Sequence, residues 1–353
     1  MTTTRRELLY TAGVFSGSLA ALRADTQPAS KPLRNLGGAP AGFPVRTRIA
    51  RQQGKPFDFV EYCHGLGLGV VETRLPTSDL DAARQFRAKT EKYGMRSILD
   101  FRLPRDESDI PAFDASMKAA SEAGVIGLHA AMTGRRYEDF DSFDAFKKNF
   151  ERCQRTIELA EPILRKYRLR LGIENHKGWR AAEQAAWMKR VSSEWVGVHF
   201  DFGNNVSLCE DPMETLRLLR PYTFSTHIKD MAVEPYQDGF LLSEVPLGQG
   251  FLNLKGMVRS LQEKDSNMPF DLEMITRDPL RIPVFTDKYW ATFNTAESPL
   301  PGRDLAWVLA VVNKSGGKPL PVIGGKTPAE QLAIEDANIA SSIEFARKEL
   351  GIT

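Results

Sequence analysis

The feature that most constrains this 353-residue chain is a rhythm: short apolar runs of strand length recur along it, and segments of helical period fill the intervals. Eight runs qualify, at 34–38, 69–74, 96–101, 125–131, 169–174, 196–201, 223–229 and 270–275. Helical periodicity covers 79–93, 113–123, 143–167 and 213–219, and 328–350 supplies a last helix. Strands separated by helices pair in parallel, because the crossover returns each strand to the same end of the sheet. Eight such units predict an α/β fold, a (β/α)8 barrel of one domain at 33–353 with an extended segment after strand eight. A doubly wound open sheet is the competing architecture. It would place a phosphate-binding loop after its first strand, and Gly37-Gly38-Ala39-Pro40-Ala41-Gly42 does not match G-x-G-x-x-G.

The amino terminus has a different character. Thr4-Arg5-Arg6-Glu7-Leu8-Leu9 precedes a mildly apolar stretch rich in Ala, Gly and Ser that ends near Ala24. A charged start, a weakly hydrophobic middle and small residues before a cut site are the parts of a twin-arginine export signal at 1–24, with a polar linker at 25–32. The stretch is too short and too polar to span a bilayer, so the expectation is export to the periplasm with no stable membrane association after cleavage.

The whole chain carries 47 basic and 45 acidic residues, a net charge of +2. Removing the signal would leave it nearly neutral. Without a basic face it lacks the footprint of a nucleic-acid binder, and a small molecule is the expected partner. Cys63, Cys153 and Cys209 are widely spaced and odd in number, which indicates neither a zinc knuckle nor a disulfide framework. The segment 276–327 is long for a loop and reads as a lid or an interface arm, the latter compatible with a homo-oligomer.

Chemistry concentrates where the later strands end. Ile173-Glu174, Phe200-Asp201, Thr226-His227 and Leu272-Glu273 put a carboxylate or an imidazole at or near the ends of strands five to eight. The carboxyl ends of barrel strands converge on one face, so these four can meet around one ion. One polar residue after a strand is ordinarily a helix cap, but four on consecutive apolar strands argue for a shared ligand role. Three carboxylates and one imidazole suit Mn²⁺ or Mg²⁺ and accept Zn²⁺ or Co²⁺.

At these residues the chain resembles the xylose-isomerase-like TIM-barrel superfamily, the sugar phosphate isomerase/epimerase family. The segments that carry the resemblance are Gly172-Ile173-Glu174-Asn175-His176, His199-Phe200-Asp201, His227-Ile228-Lys229-Asp230 and Asp271-Leu272-Glu273, with Gly248-Gln249-Gly250 resembling a loop that often follows strand seven. The resemblance implies one divalent metal on Glu174, Asp201, His227 and Glu273. It also implies that Glu174 and Glu273 are catalytic, exchanging a proton next to a sugar carbonyl through an enediolate. One departure is Asn204, where ketose epimerases commonly carry a His; an amide donates a hydrogen bond but exchanges no proton at neutral pH.

Expected substrate contacts are Glu72, His129, His176, Lys177, His199, Asn204, Lys229 and Arg277, with Trp179, Tyr289 and Trp290 as stacking surfaces for a sugar ring or, alternatively, packing or dimer contacts. His129 reads equally as a hydrogen-bonded core histidine, and Glu72 and Arg277 as a salt bridge across the barrel mouth. The expected substrate is a non-phosphorylated sugar or sugar derivative, since no phosphate cradle stands out. A lyase or dehydratase on a keto-sugar, keto-glycoside or inosose would use the same site, and a non-catalytic carbohydrate-binding barrel would have lost a ligand.

Overall fold

The computed structural model describes residues 32–55, 57–75, 78–294 and 296–352. The expected signal and all but the end of the linker lie outside the described residues. Strands are β1 (Leu33–Gly38), β2 (Leu68–Thr73), β3 (Arg96–Asp100), β4 (Gly127–Ala130), β5 (Leu171–Glu174), β6 (Val196–Asp201), β7 (Thr223–Ile228), β8 (Asp230–Tyr236), β9 (Gly239–Val245), β10 (Phe270–Leu272) and β11 (Leu280–Ile282). Eight of them close into a parallel barrel in the order β1-β10-β7-β6-β5-β4-β3-β2. These eight coincide with the runs read from the sequence.

The helices form for local reasons that the sequence displays. Helix Phe143–Tyr167 starts at Ser142, whose side chain accepts from the Ala145 N–H, and ends where Arg168 turns left-handed at φ 55°. Its buried residues, Phe146, Asn149, Cys153, Ile157, Ala160 and Leu164, recur every three or four positions and form the face laid on the barrel. Helix Pro44–Gln52 opens on a proline and is capped from far along the chain: the buried Glu335 carboxylate, on helix Pro328–Glu349, accepts from the Val45 and Arg46 N–H groups at 2.7 and 2.9 Å. All three cysteines are buried and free, as expected.

Two expectations change. Directly after β7 the chain forms a hairpin, β8 against β9, which β11 joins in a separate three-stranded antiparallel sheet. The segment 276–327 is therefore not a loop; it contains β11 and helices Asp287–Trp290 and Gly302–Lys314. Arg136 holds this segment to the barrel side. Its buried guanidinium donates to Thr292 O (2.5 Å), Thr292 Oγ1 (3.2 Å), Ser298 Oγ (2.8 Å) and both oxygens of Glu183 (3.1 Å). It also lies 3.7 Å over the Phe146 ring and 4.4 Å over Phe293. Among the described residues, no helix is long and apolar enough to cross a membrane.

Candidate metal centre

Strand register assembles the centre. Glu174 lies opposite His199 across β5 and β6, Asp201 opposite His227 across β6 and β7, and His227 opposite Asp271 across β7 and β10. Two residues further along a strand return to the same face, so Glu273 joins Asp271 and Asp201 joins His199 inside the barrel. Ligand atoms of Glu174, Asp201, His227 and Glu273 lie within 4.8 Å of one another, and the four residues are 1–7% exposed.

Each ligand is aimed by a neighbour. Glu72 accepts from His227 Nε2 at 2.9 Å, which leaves Nδ1 facing Glu273 Oε1 at 3.6 Å and Asp201 Oδ2 at 3.9 Å. Asn204 Nδ2 donates to Glu174 Oε1 at 2.7 Å, and His129 spans Glu174 Oε2 (3.3 Å) and Asp100 Oδ1 (2.7 Å). Asn175 ties β5 to β6: its Oδ1 accepts from the Asp201 N–H at 2.6 Å and its Nδ2 donates to the Asp201 carbonyl at 2.8 Å. Asp201 Oδ1 accepts from the Gly203 and Asn204 N–H groups at 3.0 and 3.1 Å. Lys229 Nζ bonds Glu273 and stands 2.7 Å from Asp201 Oδ2.

Burial opposes charge throughout, and the partners decide the outcome. For Glu273 burial is outweighed by Lys229 and His227, which hold its carboxyl down at about 2. For Glu174 burial is likewise overcome, by His176 and His129, and the carboxyl sits well below the usual range. Asp201 goes the other way: burial, helped by Glu273 and Glu174, prevails over Lys229 and pushes it to about 6. In His227 burial loses to the Glu72 and Glu273 carboxylates, which carry the imidazole up to about 10.

The residues fit a divalent cation. His227 Nδ1 is buried without a hydrogen-bond partner among the described residues, and it faces Asp201 Oδ2, which stands 2.7 Å from the Lys229 ammonium. A buried polar atom left unpaired is costly, and this one, of ligand type, faces the carboxylates of Asp201 and Glu273. Three oxygens and one nitrogen form a hard donor set, and Glu72 on the far ring nitrogen of His227 supplies the carboxylate–histidine support found behind metal-bound imidazoles.

The remaining residues divide into two levels. Glu72, His129 and His199 lie in the barrel interior as supports rather than at its mouth; His199 is fully buried with Nδ1 against Ser225 Oγ at 2.7 Å, and burial, reinforced by His227 and His129, holds it neutral. Glu72 and His199, expected as substrate contacts, are engaged here by His227 and Ser225 respectively. Lys177, Asn204, Lys229 and Arg277 stand around the centre, with Arg277 bonded to Glu244 through Nε (3.1 Å) and Nη2 (2.5 Å). His176, half-buried, is fixed through Nδ1 to the Thr133 carbonyl at 2.7 Å. Two of the three aromatics are packing: Trp179 is buried among Phe146, Phe150 and Trp187, and Tyr289 is fully buried with its hydroxyl on the Ser207 carbonyl, while Trp290, half-buried, donates to the Val284 carbonyl.

Sequence reasoning missed four residues. Asn175 lay inside a quoted motif without a role, and Asp271, at i−2 from Glu273, was legible as inward-facing from the strand period alone. Glu244 had no signal, because it comes from the hairpin. Asp230 anchors that hairpin's exit: its carboxylate accepts from the N–H groups of Met231 (2.9 Å), Gly248 (3.0 Å), Gly250 (2.9 Å) and Leu252 (3.2 Å). Gly248 has φ +84°, and a Cβ at Gly250 would fall 2.2 Å from Asp230 Oδ1, so this wrap requires both glycines.

Comparison with known proteins agrees with the fold. A family model described as xylose isomerase-like TIM barrel matches residues 48–292. A 3-oxo-isoapionate decarboxylase from Pectobacterium atrosepticum is 27% identical over 109 residues, 30% of this chain and 40% of the relative. An uncharacterized Escherichia coli protein, YihM, is 27% identical over 25% of this chain and 27% of its own length, so the chain matches less than half of either curated relative. A sugar phosphate isomerase/epimerase from Parabacteroides distasonis superposes with TM-score 0.53 at 12% identity, covering 94% of this chain and 99% of that one. A D-psicose 3-epimerase from Clostridium cellulolyticum, solved with D-tagatose, gives TM-score 0.53 at 12% identity over 90% and 99%. With the family model spanning well over half its length, the chain belongs to the xylose isomerase-like TIM-barrel family.

Proposed function

We propose that this protein is a metal-dependent enzyme that removes a proton next to a carbonyl of a non-phosphorylated sugar derivative and returns it, as an isomerase or epimerase. The observation that carries the reading is the convergence of Glu174, Asp201, His227 and Glu273 within 4.8 Å, with the buried His227 Nδ1 left without a hydrogen-bond partner among them. The epimerase and isomerase named among its structural neighbours support the sugar class.

A divalent ion held by these four residues would supply Lewis-acid stabilisation of the enediolate charge. Glu273, kept ionised by Lys229 and His227, is the group ready to accept a proton from carbon. Glu174, also ionised and fixed at both oxygens by Asn204 and His129, is the second candidate to return it. Lys229 stays protonated beside Glu273 and donates to substrate oxygen. Burial of the ligands excludes water and strengthens each of these interactions.

A second reading, elimination or loss of carboxylate from the same enediolate, is favoured by Asn204, which removes one proton-exchanging group, and by the decarboxylase among the relatives. The test is deuterium incorporation from D₂O into a panel of sugars, keto-sugars and inososes with Mn²⁺-loaded protein. Exchange is expected to require the metal and to fall about 10²–10⁴-fold in Glu273→Gln. Exchange that survives both chelation and the substitution would refute proton abstraction at this centre.

A further inference from the structure

Counting charge around the centre leads to the substrate. Four buried carboxylates, Glu174, Asp201, Glu273 and Glu244, face three cations, Lys177, Lys229 and Arg277. With His227 neutral as a ligand, these seven side chains carry one negative charge in excess, and a divalent ion among them would convert this to one positive charge in excess.

That excess has an address. Lys229 is engaged by Asp201 and Glu273, and Arg277 is bonded twice to Glu244, which commits both oxygens of that carboxylate. Lys177, only 3% exposed, bonds the neutral amide oxygen of Asn204, whose other end donates to Glu174 Oε1 at 2.7 Å. The charged groups facing its ammonium are Lys229, Glu244, Asp201 and Arg277, and no described carboxylate lies within ion-pair distance of Nζ. Burial, with Lys229 beside it, holds this lysine down at about 8. A buried ammonium whose sole hydrogen-bond partner among the described residues is an amide is poorly compensated, and an anion supplied from outside would remedy this.

We propose that the substrate is a sugar acid, a keto-sugar or polyol derivative bearing one carboxylate, and that Lys177 is the residue that recognises the carboxylate next to the metal centre. The inference rests on the metal reading above. One charge in excess matches a carboxylate, whereas a phosphate dianion would overcompensate it. The carboxylate and the ion enter as a neutralising set, so the acid binds tightly only after the metal.

The test titrates Mn²⁺, then D-gluconate, D-glucitol and D-glucitol 6-phosphate, into the full chain by calorimetry, with Lys177→Met and Lys177→Arg beside the unaltered protein. Mn²⁺ binding comes first: its absence would overturn the metal reading and this inference together. With Mn²⁺ bound, gluconate is expected to bind at least tenfold more tightly than glucitol. Lys177→Met should reduce that preference to threefold or less with Mn²⁺ affinity within twofold of the unaltered protein, and Lys177→Arg should retain it. Normal Mn²⁺ binding with equal or undetectable affinity for gluconate and glucitol would overturn the inference alone. So would a preference that survives Lys177→Met, which would place the carboxylate on the metal only, or tighter binding of the phosphate ester than of gluconate.

Discussion

Raising the pH is predicted to tighten Mn²⁺ binding about tenfold per unit across the neutral range, through competition with one proton on His227. Glu72 occupies Nε2, so Nδ1 is the ring nitrogen left for a metal. In the metal-free protein the imidazole is carried up to about 10, so Nδ1 holds a proton at neutral pH that a cation must displace. Three pH units between 7 and 10 correspond to about 4 kcal/mol, or about 10³ in affinity, withheld at pH 7. The sign follows from a raised imidazole: competition is complete at low pH and vanishes as pH passes about 10. Below about 6 Asp201 is protonated as well, and the slope should steepen towards two. Calorimetry at pH 7.5 in two buffers of different ionisation enthalpy counts the protons directly, and the expected number is near one. Glu72→Gln sharpens the test: with the carboxylate charge gone His227 loses its proton at lower pH, so the slope flattens, while affinity at high pH falls about 10–100-fold with the loss of the supporting carboxylate. Affinity independent of pH, with no proton released, would show that His227 does not bind the ion through a protonated Nδ1.

Asp271 is fully buried with both oxygens unpartnered, and burial with Glu72 nearby pushes it up to about 8. A raised carboxyl makes the native state retain a proton that the unfolded chain releases, so stability falls as pH rises from about 4 to 8, by up to about 1.4 kcal/mol per unit. Asp271→Asn removes this dependence and should gain about 2–3 kcal/mol on the parent between pH 5 and 7 in urea unfolding; a gap that stays constant with pH would contradict the assignment. Arg136→Met strands Glu183 and the Thr292 carbonyl and is expected to cost about 3–5 kcal/mol, with new proteolytic cleavage near 292–298; unchanged stability and cleavage would refute the clamp. Asn175→Ala frees the end of β6 and should weaken Mn²⁺ about 10–100-fold, read by calorimetry, whereas unaltered affinity would remove its positioning role. If 1–24 is an export signal, replacing Arg5 and Arg6 by Lys should leave the precursor in the cytoplasmic fraction, and undiminished export would exclude a twin-arginine signal.

The barrel was legible because its signals are local. Apolar runs at 69–74 or 196–201, flanked by helical periods, need no knowledge of distant residues, and each places its polar terminal residue at the same end of the sheet. The four candidate ligands were legible for the same reason, as residues that apolar strands have no packing reason to carry. The hairpin at β8 and β9 escaped because Asp230–Val245 mixes apolar and charged residues and depends on Asp230 gathering the backbone of 248–252, a contact across some twenty positions.

What the sequence by itself determined is therefore the parallel barrel and the identity of the residues at its carboxyl ends. The tertiary structure decided their roles, because role depends on which atom meets which neighbour. Glu72 became the support of His227 through pairing 155 positions apart, Trp179 and Tyr289 became packing, and Lys177 was left with an amide where a counter-ion would be expected. Strand period gives the direction in which a side chain leaves the backbone, but closure of the barrel alone determines what waits there.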